Sequence, residues 1–263
     1  MDPIRIALLH VAPRLGALAE NRALLELGLE RAAIHGASWV LTPELAVCGY
    51  GFAAAIGTEW IQPQPDAWMM AVAARARRLR VTVFLSCPER DPVTGKLHNS
   101  LFVIDRTGRI AGWHRKLSII PGAESWSAPG WEAEPVAVDG LRVGLLVCAD
   151  AYAPGPSLRL QQRGAQVLVS AAAWAPGQHG PSGEWEARSR QTGLSVIVCN
   201  RTGVEPDISF ELAQSVAVRD GRREVAHRAP GSTLVILDWV LGGDRRGARI
   251  HRTEPLGASL VVS

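Results

Sequence analysis

A chain of 263 residues, 47% hydrophobic and 20% charged, is long enough to bury a sizeable core and has the composition of a soluble globular protein. Its formal net charge of +3 is small. The densest basic clusters (Arg75, Arg77 and Arg78; Arg222 and Arg223) are short solvated faces, which argues against a nucleic-acid partner. No stretch approaches the length of a membrane-spanning helix, and no basic region precedes a long apolar run at the N-terminus, so the expectation is a cytoplasmic protein with no membrane association. Four cysteines, Cys48, Cys87, Cys148 and Cys199, are widely spaced and form no CxxC pair, which suggests neither a disulfide framework nor a zinc site.

In chain order, residues 4–10 read as a buried strand, and 20–36 as an amphipathic helix stopped at Gly36. A short strand over 39–42 ends at Pro43 and Glu44. A glycine-containing loop through Gly49, Tyr50, Gly51 and Phe52 follows. Asp66 caps a helix running to about Leu79, and 81–87 is a third strand. This alternation of strand and helix predicts an α/β layered fold. Residues 97–105 and 109–114 form a hairpin about Arg106-Thr107-Gly108. The stretch from Lys116 to Glu134 is a long loop, and Asp139-Gly140 turns the chain into the apolar run 141–147.

That run delivers Cys148 and Asp150 to its carboxyl end, ahead of the breakers Pro154, Gly155 and Pro156. A helical segment over 158–163 and a strand over 166–170 come next. A helix over 184–192, a strand over 194–200, a hairpin about Asp220-Gly221 and a last strand over 233–239 complete the pattern. The tail beyond about residue 241 is expected on the surface or against a partner subunit. There is no repeat and no linker, so the whole of 1–263 reads as one domain.

Three polar residues sit where apolar strands end: Glu44, Lys116 and Cys148. Each has a plain alternative, since Glu and Lys are commonly exposed and free Cys is commonly a small buried hydrophobe. Together they form a complementary set. A cysteine nucleophile with its usual pKa near ~8.5 is only slightly ionised at neutral pH and needs a base, and a lysine can hold developing negative charge.

At these residues the chain resembles the nitrilase superfamily of carbon–nitrogen hydrolases. Thr42-Pro43-Glu44-Leu45 with Gly49-Tyr50 is similar to its glutamate motif, and Trp113-His114-Arg115-Lys116-Leu117 to its lysine motif. Cys148-Ala149-Asp150 with Pro154 and Gly164-Ala165 resembles the nucleophile motif. The intervening segments Pro88-Glu89-Arg90, Leu97-His98-Asn99-Ser100 and Val103–Gly108, and the later Trp185-Glu186, Arg188 and Asn200-Arg201-Thr202-Gly203, fall in the family's order. The resemblance implies a four-layer α-β-β-α sandwich, a homodimer or higher homo-oligomer, and no metal or organic cofactor. It implies Cys148 as nucleophile, Glu44 as general base and Lys116 as oxyanion stabiliser, with the backbone N–H of Ala149 as second oxyanion donor. Glu124 falls where many members carry a second glutamate; its alternative is an exposed loop acid. Tyr50, Tyr152 and Trp174 are candidates for the substrate wall.

Ala149 stands where the family usually has Tyr or Trp, and Tyr152 where some amidases have an arginine that grips a substrate carboxylate. Cys-x-Asp in place of Cys-Trp-Glu favours an amide or carbamoyl substrate over a nitrile. The expected activity is hydrolysis of a small-molecule amide through a thioester. N-carbamoyl amine or amino-acid hydrolysis and nitrile hydrolysis are the enzymatic alternatives. A catalytically silent binding or scaffold homologue is the non-enzymatic one, disfavoured by the intact Glu44, Lys116 and Cys148.

Overall fold

The computed structural model describes residues 3–177, 180–240 and 248–257. In chain order, the first half is β1 (Ile4–His10), α1 (Leu18–Ile34), β2 (Trp39–Leu41), α2 (Phe52–Ile56), α3 (Ala67–Leu79), β3 (Thr82–Arg90), β4 (Leu97–Ile104) and β5 (Ile110–Arg115). The next part is β6 (Val136–Val138), β7 (Leu141–Val147), a 3-10 turn (Cys148–Ala151), α4 (Pro154–Gln162), β8 (Val167–Ala172), α5 (Glu184–Thr192) and β9 (Ser195–Asn200). Last come β10 (Val204–Glu205), β11 (Ile208–Ser209), β12 (Ser215–Arg219), β13 (Arg222–His227), β14 (Thr233–Trp239) and β15 (Arg249–Pro255).

Two units of the same design build the molecule. In the first, β1, α1, β2, α3 and β3 place three parallel strands at the centre of a seven-stranded sheet ordered β15-β14-β1-β2-β3-β4-β5. In the second, β7, α4, β8, α5 and β9 do the same for a six-stranded sheet ordered β13-β12-β9-β8-β7-β6. Antiparallel strands extend both edges.

The layering follows from the two-residue period of a strand, which sends successive side chains to opposite faces. Ile6 and Leu8 of β1 join the core shared with Val143, Leu145 and Val147 of β7. Their neighbours Ala7 and Leu9 instead pack with Leu25 and Leu29 of α1 and Val72 and Ala76 of α3. Leu160 of α4 and Trp185 of α5 cover the second sheet. The result is the α-β-β-α sandwich. Gly144 in β7 permits close approach of that helical layer: a Cβ there would lie 2.6 Å from the Leu168 side chain and 3.1 Å from Leu160.

Local expectations hold where a side chain dictates them. The Asp66 carboxylate accepts from the Met69 N–H at 2.8 Å and caps α3, leaving one fewer unpaired helix-end donor. Other boundaries differ. Pro154, Gly155 and Pro156 open α4 rather than precede it, because a first-turn residue has no intrahelical N–H bond to lose. The five-residue α2 and the small β10–β11 hairpin, too short for a periodic signal, lie in stretches to which the sequence assigned no helix or strand. Near the C-terminal end of the described chain, residues 249–255 pair antiparallel with β14 as an edge strand. Its apolar content is low because the strand is largely exposed, so alternation could not mark it. Among the described residues no helix is long and apolar enough to cross a membrane.

Candidate active site

The parallel strands of both sheets end at the same place. Glu44 follows β2, Cys148 follows β7, and Ala173 and Trp174 follow β8. The backbones meet there directly, with the Glu44 N–H donating to the Ala172 carbonyl at 3.2 Å. Lys116, one residue beyond β5, is fixed in the same region because its N–H donates to the Asn99 carbonyl at 2.8 Å.

Glu44, Lys116 and Glu124 are fully buried. The Lys116 ammonium donates to Glu44 Oε1 at 2.7 Å and also to Glu124 Oε1. Glu44 Oε1 further accepts from Asn99 Nδ2 at 2.8 Å, and its Oε2 accepts from the Ala173 N–H at 2.9 Å. Every oxygen of the Glu44 carboxylate is therefore held, which compensates a burial that would otherwise be costly. Glu124 is a buried partner of the lysine and not an exposed loop acid, and its Oε2 accepts from the Ile120 N–H at 3.2 Å.

Burial disfavours the Lys116 cation, but Glu44 and Glu124 outweigh that and raise its pKa, so the side chain stays an ammonium. Burial, with Glu44 close by, pushes Glu124 up to about 7 against the opposing pull of Lys116. Burial also raises the Cys148 thiol well above its ordinary value, reinforced by Glu44 and only partly offset by Lys116. The direction of that shift favours the neutral thiol over the thiolate, with Glu44, Lys116 and Glu124 all acting on the sulfur.

Cys148 adopts φ 45°, left-handed backbone that is uncommon for a residue with a Cβ. What holds it there is Asp150, two residues on and completely buried. Asp150 Oδ1 accepts from the Leu117 and Ser118 N–H groups, both at 2.9 Å. Its Oδ2 accepts from the Val147 N–H at 3.0 Å and meets His114 Nε2 at 2.8 Å. These bonds outweigh desolvation and lower the Asp150 pKa. One carboxylate thus ties the turn carrying Cys148 to the backbone just past Lys116. The sequence supplied the Cys-x-Asp pattern but not this role, because the partners lie on another strand.

Cys148 opens into a cavity of about 510 Å³ bordered by Tyr50, Ala149, Tyr152, Trp174 and Ile208 among others. All four proposed wall and oxyanion residues are therefore at the sulfur's cavity. Tyr152 and Trp174 meet edge to face at 4.7 Å, and Trp174 meets the buried Trp185 likewise at 5.2 Å. Asn200 fixes Trp174 through its backbone: Oδ1 accepts from the Trp174 N–H and Nδ2 donates to the Trp174 carbonyl, both at 3.0 Å. Tyr50 is set by a further buried charge that sequence reading did not single out. Glu205 accepts from the Tyr50 and Gly51 N–H groups at 2.8 Å each and pairs with buried Arg201. Only its position four residues after Arg201 hinted at this. Among the described residues no three His, Cys, Asp or Glu side chains cluster as a metal site.

A glutamate, a lysine and a cysteine thus converge at the strand ends of an α-β-β-α sandwich. The carbon–nitrogen hydrolase family profile matches residues 5–230, and the chain belongs to that family. A protein named "Hydrolase in pqqF 5'region", from Pseudomonas protegens, is 27% identical over 257 residues, 95% of this chain and 88% of that protein. The (R)-stereoselective amidase of a Pseudomonas species is 32% identical over 146 residues, 51% of this chain and 52% of its own. The crystal structure of an amidase from Nesterenkonia sp. superposes with TM-score 0.79 at 24% identity over 90% of each chain. At that identity the likeness establishes the fold.

Proposed function

We propose that this protein hydrolyses the C–N bond of a small-molecule amide, with Cys148 as nucleophile, Glu44 as general base and acid, and Lys116 as oxyanion stabiliser. The observation that carries the proposal is the buried contact of the Lys116 ammonium with Glu44 at 2.7 Å, beside the cavity that Cys148 opens into. Support also comes from the Nesterenkonia amidase, of which one variant at the same TM-score of 0.79 bears the acetamide moiety of fluoroacetamide at its active site cysteine.

A neutral thiol sets the order of events. Glu44 accepts the Cys148 proton as sulfur bonds to the amide carbon, since a free thiolate is disfavoured by burial. The carbonyl π pair moves onto oxygen, and the oxyanion is held by the Lys116 ammonium and the Ala149 N–H. The pair returns, the C–N bond breaks, and the amine or ammonia leaves with the proton from Glu44. Water then adds to the thioester as Glu44 takes its proton. Collapse releases the carboxylic acid and returns the proton to Cys148. Glu124 holds the Lys116 ammonium as its second carboxylate partner. The same reading includes a homodimer, which light scattering on the purified protein tests.

The direct experiment incubates the protein with primary amides, N-carbamoyl amines and nitriles, following ammonia release and intact mass. The expected result is turnover of amides, with an acyl adduct on Cys148 that Cys148→Ala lacks. Full amide turnover by Cys148→Ala would overturn the proposal. A silent homologue would give neither ammonia nor adduct.

A further inference from the structure

A second cavity of about 550 Å³ adjoins the one at Cys148, and Tyr50, Ala123, Asp207 and Ile208 border both. Its wall is built from Ala53, Ala54 and Ala55 of α2, together with Leu15, Trp126 and Pro206. Alanines on a short helix leave room that larger side chains would fill, and Trp126 is braced edge to face on Phe52 at 4.9 Å. The surface offered is apolar.

Among the described residues, the charged groups lining this cavity are the acids Glu205 and Asp207. Among the described residues neither cavity is lined by a lysine, arginine or histidine. The two acids are not equivalent. Glu205 is consumed by Arg201 and by the Tyr50 and Gly51 N–H groups, so it braces the wall. Asp207 sits in the turn between β10 and β11, exposed, at the junction of the cavities. A carboxylate at the neck of an apolar channel favours a cation there and opposes an anion.

We propose that the second cavity receives the far arm of the substrate, an apolar chain carrying a protonated amine where it passes Asp207. This rests on the amide-hydrolase reading and adds to it the substrate class: a long or bulky amide with a basic group, rather than an amino-acid-like amide with a carboxylate. Tyr50 is the threshold residue. It faces the reacting groups on one side, where burial, Glu44 and Glu124 raise its phenol pKa, and borders the second cavity on the other.

Two series of probes test this: straight-chain primary amides from two to eight carbons, and acetamides N-substituted with the same chains, each with ω-methyl, ω-amino and ω-carboxyl ends. In at least one series kcat/KM is expected to rise by roughly fourfold for each methylene that enters the cavity, then level off. Near the neck, the ω-amino arm is expected to exceed the ω-carboxyl arm by roughly 2–20-fold, the range of a partly solvated ion pair and its reverse. Asp207→Asn should bring that ratio toward one, and Ala54→Trp should flatten the dependence on chain length. Calorimetric binding of the same amides reads the arm independently of turnover. If short amides are hydrolysed and neither rate nor affinity depends on arm length or end charge, the inference is overturned while the amide reading stands. If no amide is turned over, the amide reading falls, and an affinity independent of the arm overturns the inference as well.

Discussion

Asp150→Asn exchanges one carboxylate oxygen for an amide nitrogen at a point where three backbone N–H groups and one imidazole converge. With the remaining oxygen kept by the Leu117 and Ser118 N–H groups, the new NH2 faces the Val147 N–H and His114 Nε2. An imidazole can present a lone pair through its other tautomer, but a backbone N–H cannot. The Val147 donor is left buried without an acceptor, which costs about 1–3 kcal/mol. The surviving bonds also lose their charge-assisted strength. Together these give a destabilisation on the order of 3–5 kcal/mol, or a fall in Tm of roughly 6–20 °C for a chain of this size. Thermal melts followed by circular dichroism measure it. Asp150 also fixes the turn bearing Cys148, so kcat/KM should fall by about 10² or more, the scale for ångström misplacement of a reacting group. The folded-state pKa of Asp150 is depressed, so its contribution is present above the unfolded value and disappears as pH falls through the folded one. The gap between wild type and variant should therefore narrow in acid, below about pH 4. A variant melting within about 2 °C of wild type at neutral pH would refute the role given to Asp150.

Lys116→Ala should abolish turnover and destabilise the fold by about 3–5 kcal/mol, because two buried carboxylates lose their cation. Protonation relieves those carboxylates, so the variant's Tm deficit should be larger at pH 8 than at pH 5, and equal deficits would count against the assignment. The Glu44–Lys116–Glu124 cluster should give kcat/KM an acidic limb with an apparent value of about 7, falling as pH drops, since the value raised by burial belongs to a carboxyl that holds Lys116 when ionised. Glu124→Gln should remove that inflection along with much of the activity, and its persistence in the variant's pH profile would assign it elsewhere. Trp174→Ala should cost about 3–5 kcal/mol by removing the centre of the Tyr152–Trp174–Trp185 ladder. A chemical-denaturation midpoint equal to wild type would show the ladder to be energetically idle.

The strands of both central units and the capped helix α3 were legible in the sequence, since each depends on local periodicity or on one side chain reaching its own backbone. The convergence of Glu44, Lys116 and Cys148 was legible because each stands at a strand's carboxyl end and matches a family motif. The sequence left open whether Glu124 is a loop acid, what Asp150 does, and what orders Tyr50. Those depend on contacts between residues 8, 33 and 155 positions apart in the chain. Periodicity is a property of neighbours and carries no trace of such pairings. The edge strand β15 was hidden for the converse reason: a solvent-exposed edge strand needs no apolar alternation, only the unpaired N–H and C=O groups of β14. The sequence by itself determined the chemistry available at the strand ends. Only the tertiary structure decided that Lys116 contacts two buried carboxylates, that a carboxylate two residues past the cysteine ties its left-handed turn to another strand, and that a second, largely apolar cavity bordered by Asp207 lies beside it.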